Sequence, residues 1–421
     1  MTGPSHPATE GPQGSLLLRG NRHAIGPDHR HHLVRRRCRR TGCTAHATAH
    51  PATAPAPASS TPPLTTTAAP TANPPADGRA APTTTLALGH IDRLNAVQAI
   101  GTTSAVAVGK GVILATSNSG RSWVRLWRGP QELHEVDFVS AQTGWAVGDG
   151  ILLGTVDGGQ HWQRLGQPRV GPLRQVHFAG PTEGWGVAGG ADHSDQRSVP
   201  ATRLVQTSDG GQTWATLAAP APPQSVCFTA PDDGWLASDR TVWRSTDGGR
   251  SWGSQPSFTL PVAANEPPFF AALQCARPGA AWVRFDSDDH YAGHSPYALY
   301  TSADGGAHWR GVLSTLGGVL PVRLPGGPGS YPGPFSVIDP RQAFLFSPTP
   351  AAEATGAVLI SQGGSRLRRL PDLPGTTLFM PRSVSFASAT RGWAVGTNLA
   401  GGAVLLATSD GGRSWHDQLP S

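Results

Sequence analysis

The feature that most constrains this chain is a stretch it keeps rewriting. Leu204–Trp214 reads Leu-Val-Gln-Thr-Ser-Asp-Gly-Gly-Gln-Thr-Trp. Variants with Asp-Gly-Gly and a Trp three residues later occur at Thr155–Trp162, Arg244–Trp252, Thr301–Trp309 and Ala407–Trp415. Two further copies are decayed: Ser117–Trp123 has Asn-Ser-Gly in place of Asp-Gly-Gly, and Ser361-Gln362-Gly363-Gly364 lacks its Trp. A short unit rewritten along a chain cannot bury its own apolar face, so neighbouring units must stack.

Each unit spans roughly 40–60 residues and is built of short apolar runs between Gly-rich turns, the pattern of propeller blades. Unit two shows the layout: Leu133–Phe138 alternates as strand one, Thr143–Val147 is strand two, Ile151–Val156 strand three and His161–Leu165 strand four. Phe138, Phe178, Phe228 and Phe386 each stand seven residues before a strand-two Trp, namely Trp145, Trp185, Trp235 and Trp393. Cys275 takes the Phe place before Trp282. Eleven of the 13 Trp residues fall at two fixed positions per unit, which is what packing between blades requires, and they are assigned to the core. The expected fold is all-β: a seven-bladed β-propeller of four-stranded antiparallel blades over 86–421.

The Asp-Gly-Gly turn has a local cause. Asp-Gly favours a tight hairpin whose central residues need positive φ, and the carboxylate accepts hydrogen bonds from the turn's own amides. Asp157, Asp209, Asp247, Asp304 and Asp410 are therefore expected to brace turns and not to catalyse.

Before residue 86 the chemistry differs. Residues 1–50 are basic and His/Arg-rich without periodicity, which implies a disordered arm; residues 51–85 are almost wholly Ala, Pro and Thr, a linker. The arm holds eight Arg against Glu10 and Asp28 and so accounts for the whole net charge of +6. The repeats are electrically balanced, which argues against a phosphate-tracking groove and against nucleic acid as a partner. No apolar run is long enough for a transmembrane helix. No signal peptide is recognisable, although Gly42-Cys43 followed by a Thr/Ala/Pro tract has the layout of a tethered lipid anchor, and export to the cell envelope is the expectation. Cys227 and Cys275 stand at neighbouring and not equivalent positions of their units, so alternation aims them at opposite sheet faces and two buried thiols are expected. No zinc-like Cys spacing occurs, and neither cofactor nor metal is expected.

The Ser/Thr-x-Asp-Gly-Gly-x-Ser/Thr-Trp element resembles the Asp-box, or bacterial neuraminidase, repeat. With Gly-Trp-Ala-Val-Gly at 144–148 and 392–396, the chain from about residue 90 onward resembles the photosystem II assembly and stability factor family of propellers. Sialidases, sortilin-type receptors and xyloglucan-degrading hydrolases use the same box. The resemblance implies a propeller and suggests an assembly or stabilisation role at a membrane complex. The hydrolases supply the alternative, an Asp-box glycoside hydrolase of sialidase-like or xyloglucanase-like kind. A sialidase's N-terminal Phe/Tyr-Arg-Ile-Pro signature is absent; Val322-Arg323-Leu324-Pro325 is only loosely like it and sits late in the chain.

In an antiparallel blade the strand three–four turns, which are the Asp boxes, share one face with the one–two turns. The irregular insertions 189–202, 257–270, 286–298, 314–335 and 347–357 all fall on the other face, where variable loops usually carry function. The richest is Asp286-Ser287-Asp288-Asp289-His290-Tyr291, with His294 and Tyr297 behind it and Tyr331 in the next inter-blade segment. These residues form the expected ligand face. Asp286, Asp288 and Asp289 lack the glycine and distal Glu of a calcium loop. A monomeric, non-catalytic scaffold binding a protein or peptide is the reading that results.

Overall fold

The computed structural model describes Leu88, 90–190, 202–256, 258, 269–287, 295–315, 324–349, 354–373, 379–398 and 400–419. The arm and linker expected over 1–50 and 51–85 lie outside the described residues, as do Asp288 to His294 of the expected ligand face.

Every regular element is a strand. One six-stranded sheet comes first, in the order β1 (Leu94–Ala99), β2 (Ala105–Thr116), β3 (Val124–Phe138), β4 (Gly144–Gly148), β5 (Ile151–Thr155) and β6 (Gln163–Arg164). Four-stranded antiparallel sheets follow. The second holds β7 (Leu173–Phe178), β8 (Gly184–Gly189), β9 (Thr202–Thr207) and β10 (Ala215–Leu217). The third holds β11 (Ser225–Phe228), β12 (Gly234–Ser238), β13 (Thr241–Ser245) and β14 (Gly253–Ser254). The fourth is β15 (Phe269–Arg277), β16 (Ala280–Ser287), β17 (Tyr297–Ser302) and β18 (Arg310–Ser314). The fifth is β19 (Phe335–Asp339), β20 (Gln342–Thr349), β21 (Ala354–Ser361) and β22 (Arg366–Leu370). The last is β23 (Met380–Phe386), β24 (Gly392–Thr397), β25 (Ala403–Thr408) and β26 (His416–Asp417).

The expectation of seven four-stranded blades is thereby corrected. The described residues form a six-bladed propeller, five blades of four strands and one of six. The first two repeat units share a sheet because one strand, with a single proline at 130, continues from the first unit into the second. β3 runs unbroken from Val124 to Phe138, pairing with β2 through Val124–Glu132 and with β4 through Leu133–Phe138. Between the next units the chain reads Ala218-Ala219-Pro220-Ala221-Pro222-Pro223, and proline withholds the ladder N–H that a continuous strand would need.

The inner strands carry the contacts between units, and one recurrent donor-accepting position is the residue just before the strand-one Phe, which points forward to the following unit. Gln98 Oε1 accepts the Phe138 N–H (2.6 Å), Asp137 Oδ2 the Phe178 N–H (2.7 Å) and Gln274 Oε1 the Val337 N–H (2.8 Å). Ser336 Oγ accepts from Phe386 N (3.0 Å). Ser385 Oγ accepts from Ala99 N (3.0 Å), which closes the ring from β23 onto β1. The termini of the repeat region therefore meet end to end, and β1 adds no strand to the last sheet.

Trp145, Trp185, Trp235, Trp282 and Trp393 are all buried. Trp185 stacks on Phe228 of the following unit at 3.8 Å between centroids, and Phe228 meets its own box residue Trp252 edge-on at 6.1 Å.

Cys227 and Cys275 form a disulfide, Cα–Cα 6.0 Å, which corrects the expectation of two thiols. Their opposite orientations are the cause. Cys227 pairs across its hairpin with Trp235 and occupies the forward-pointing position, while Cys275 occupies the Phe position, which points back. Alternation excludes a bond within one sheet and aims the two sulfurs at each other between stacked sheets.

Candidate binding face

The Asp boxes come first because they define the two faces. Asp209 Oδ1 accepts from Thr207 Oγ1 (2.8 Å) and the Thr213 N–H (2.9 Å), and Oδ2 accepts from Thr213 Oγ1 (2.6 Å). Asp247 and Asp410 repeat this with Ser251 and Ser414. Asp157 and Asp304 substitute the imidazoles of His161 (2.6 Å) and His308 (2.7 Å). Hydrogen bonds from the Ser251 hydroxyl and N–H hold Asp247 down to about 2, and those from the His308 N–H and ring do the same for Asp304, also about 2. Positive φ falls on both glycines, +71° at Gly210 and +92° at Gly211, and not on the Asp, so the turn is a Gly-Gly turn stapled by the preceding carboxylate. Each of these carboxylates is spent on its own turn.

On the other face lies what is described of the candidate ligand patch. Asp286, near the end of β16, is gripped side-on by Arg284, Nε to Oδ1 2.6 Å and Nη2 to Oδ2 2.6 Å, both side chains 13% exposed. Arg284 Nη1 also donates to the Gly333 carbonyl, and its guanidinium sits 5.7 Å from the Phe335 ring centre, so the pair ties one blade to the next. Tyr297 is fully buried; its hydroxyl donates to Ser347 Oγ (2.9 Å), which donates to the Tyr331 carbonyl (2.6 Å). Burial pushes the Tyr297 phenol up to about 12. Tyr331 is half-buried beside this relay. Asp286, Tyr297 and Tyr331 are thus brought together, but as a join between blades and not as a displayed patch. Asp288, Asp289, His290, Tyr291 and His294 lie outside the described residues.

The face carries a second feature that sequence reasoning did not single out, at Arg93 just before β1, Glu132 within β3 and Arg382 on β23. Arg93 Nη1 donates to Glu132 Oε1 (2.9 Å), which also accepts from Asn95 Nδ2 (3.0 Å). Arg382, exposed on β23, stands near enough that burial and the Arg93 charge lower its pKa while Glu132 opposes them. Among the described residues Arg382 has no ion pair, and the Glu132 carboxylate is paired with Arg93 alone. The three residues are far apart in the chain, and only a polar residue just before an inner strand could have hinted at them.

Deeper along the axis, Glu135 Oε2 accepts the Val176 N–H (2.9 Å), and burial raises this carboxyl to about 8. Asp137 is raised too, by burial, against the favourable charge of His177. Both residues are half-buried on β3.

No family model matches the chain, and no curated protein matches it. Among solved structures, it is similar to YCF48 bound to a D1 peptide, at 16% identity and a TM-score of 0.50, over 77% of this chain and 95% of that one. YCF48 from Cyanidioschyzon merolae aligns at 14% identity and TM-score 0.50, over 77% and 97%. A glycoside hydrolase of family 74 from Niastella koreensis aligns at 12% and 0.54, over 79% of this chain and 55% of the enzyme. At these identities the likeness establishes the β-propeller fold, shared by a peptide-binding protein and an enzyme alike.

Proposed function

We propose that this chain is a non-catalytic propeller that binds a protein or peptide segment on the face opposite the Asp boxes, at the axial mouth formed by Arg93, Glu132 and Arg382. The observation that carries the reading is Arg382, exposed and without an ion pair among the described residues, on a strand whose neighbouring Ser383 Oγ accepts the Val97 N–H of β1 (3.2 Å), a site suited to a carboxylate on a peptide. The fold likeness to YCF48 in its complex with a D1 peptide supports it, and an assembly or stabilising role is the natural use of such a binder. The locked state of Asp286 counts against the glycosidase alternative, which needs a carboxylate able to act on a sugar.

Cross-linking capture from the native host tests the reading. One dominant partner is expected with the unaltered chain, and Arg382→Glu is expected to lose it while circular dichroism stays unchanged. Equal capture by Arg382→Glu moves the site elsewhere. Hydrolysis of sialosides or β-glucans by the purified protein, abolished by Asp286→Asn, overturns the non-catalytic reading.

A further inference from the structure

In every unit the turn between strands one and two docks on that unit's own box through one backbone bond, and in units six (β19–β22) and seven (β23–β26) this join is bordered by arginine. The Gly363 N–H meets the Arg341 carbonyl (2.9 Å) and the Gly411 N–H the Thr390 carbonyl (2.9 Å), which sets Arg391 beside the last box. Arg413 lies within that box, and its Nη1 donates to the Asp410 carbonyl (3.3 Å). Arg368 arrives from the neighbouring blade. Phe344, Leu359 and Arg368 stand opposite one another across β20, β21 and β22, so they share one face of their sheet. That face looks toward unit seven, because Phe344 stacks on Phe386 at 4.5 Å between centroids. The Arg368 guanidinium accordingly ends at the last box, where Nη2 would stand 3.7 Å from a Cβ on Gly411.

Unit four shows how the chain answers such a cation elsewhere. There Asp233, in the turn before strand two, takes the Arg244 guanidinium on one oxygen, Nε at 2.8 Å and Nη2 at 2.5 Å. Units six and seven place Gln342 and Arg391 where unit four has Asp233. The box of unit six, Gln362-Gly363-Gly364, carries no carboxylate, and the Asp410 carboxylate is engaged by Thr408 and Ser414. Asp339 accepts the Arg341 N–H of its own turn (2.6 Å). Among the described residues Arg341, Arg368, Arg391 and Arg413 form no ion pair. Arg368 is the sharpest case: it is half-buried, and its Nε–H is shut off from water with no acceptor. A buried donor without a partner costs stability that a bound acceptor restores.

We propose that the seam between the boxes of units six and seven binds a phosphoryl group, with Arg368 donating from within the seam and Arg391 and Arg413 from its rim. A single carboxylate satisfies the one guanidinium of unit four. Arg368, Arg391 and Arg413 border one turn together, and so call for a ligand with more charge and more oxygens. A phosphate monoester brings up to about two negative charges and three acceptor oxygens. The forked donors of arginine match its edges. The site lies on the Asp-box face, apart from the Arg382 site, and does not depend on it.

Titration calorimetry of the full chain with inorganic phosphate tests the proposal, with acetate as a singly charged carboxylate beside it. Glycerol 3-phosphate is titrated in parallel; tighter binding than inorganic phosphate makes the natural ligand a monoester, and weaker binding makes it the free ion. Saturable phosphate binding is expected, with acetate at least about tenfold weaker. Arg368→Gln removes the donor charge within the seam and should weaken phosphate at least about tenfold. Arg250 holds in the unit-four box the place that Arg413 holds in the last, its Nη1 on the Asp247 carbonyl (2.7 Å), and Arg250→Gln should leave phosphate binding unchanged. Absence of saturable binding, acetate equal to phosphate, or full affinity in a folded Arg368→Gln protein overturns the proposal. So does an equal loss in Arg250→Gln. Should Arg368→Gln fail to fold, Arg413→Gln on the exposed rim decides: a loss of about threefold or more upholds the site, and a smaller one refutes it.

Discussion

The indole of Trp145 lies flat on the phenyl ring of Phe178, 3.4 Å between ring centroids and 1° between planes. The two belong to successive units, so the fixed Phe-to-Trp spacing within each unit serves a contact between units. Phe178 also meets Trp214 of its own box edge-on at 6.2 Å, which places one phenyl ring between two tryptophans. Phe178→Ala removes that ring from a fully packed site and should cost about 3–5 kcal/mol. Denaturant unfolding checks it, and a loss under about 1 kcal/mol would mean that the stack contributes little.

The Cys227–Cys275 bond staples two stacked sheets across a sequence separation of 48. In thiol titration of the denatured, unreduced protein Cys227 and Cys275 should therefore stay unreactive until a reductant is added. Replacing both cysteines with serine should lower stability by about 2–4 kcal/mol without changing the fold. Reactivity of all four thiols before reduction would contradict the bridge.

Stability should respond to pH in two opposite ways. Glu135 is raised to about 8, so in the folded protein it holds a proton that the unfolded chain releases above about 4.5. Its contribution is favourable at low pH and is lost as pH rises toward 8. Melting temperature should accordingly fall between about pH 4.5 and 8, and Glu135→Gln, which keeps an acceptor for Val176, should flatten that slope.

The box carboxylates have the reverse sign. Asp247, Asp304 and Asp410 are depressed to about 2, so their bracing is present above the unfolded value of 3.8 and disappears as pH falls through 2. A steep drop in melting temperature between pH 4 and 2 is the expected result of an acid titration series. Stability that stays level across that interval would show the braces to be dispensable.

Asp286→Ala leaves Arg284 with the Gly333 carbonyl and the Phe335 ring but no counter-charge. Orphaning a charge that is 13% exposed should cost about 3 kcal/mol. Arg284→Met with Asp286→Leu, an apolar replacement of the whole pair, should recover most of the loss. Unfolding midpoints of the single and double variants settle whether the pair serves the joint between blades.

Much of this architecture can be read directly from the repeat. Strand positions, the burial of the strand-two Trp and the turn-bracing geometry of Asp209 and its copies all follow from rules that act within a few residues, namely alternation and turn chemistry; the box Trp is half-buried in five of its six copies. The errors arose where a second sheet enters. Periodicity counted sequence units, but whether two units share a sheet depends on whether the link between them can stay extended, as 128–133 does and the proline-rich 218–223 cannot. Alternation correctly oriented Cys227 and Cys275 and then misled, because opposite faces of one sheet are facing surfaces when sheets are stacked.

The candidate sites divide along the same line. Asp286 and Tyr297 looked like a displayed patch because a run of acids and tyrosines in an insertion is visible in one dimension; their partners Arg284, Gly333 and Ser347 are not. Arg93, Glu132 and Arg382 come from opposite ends of the repeat region, and their sequence signal is at most a polar residue near an inner strand. By itself the sequence determined the unit, its strands and its turns, since those depend on neighbours along the chain. Tertiary structure alone decided how many sheets form, which sulfurs meet, and which charges are spent inside the ring, since each of those depends on what the next unit places opposite.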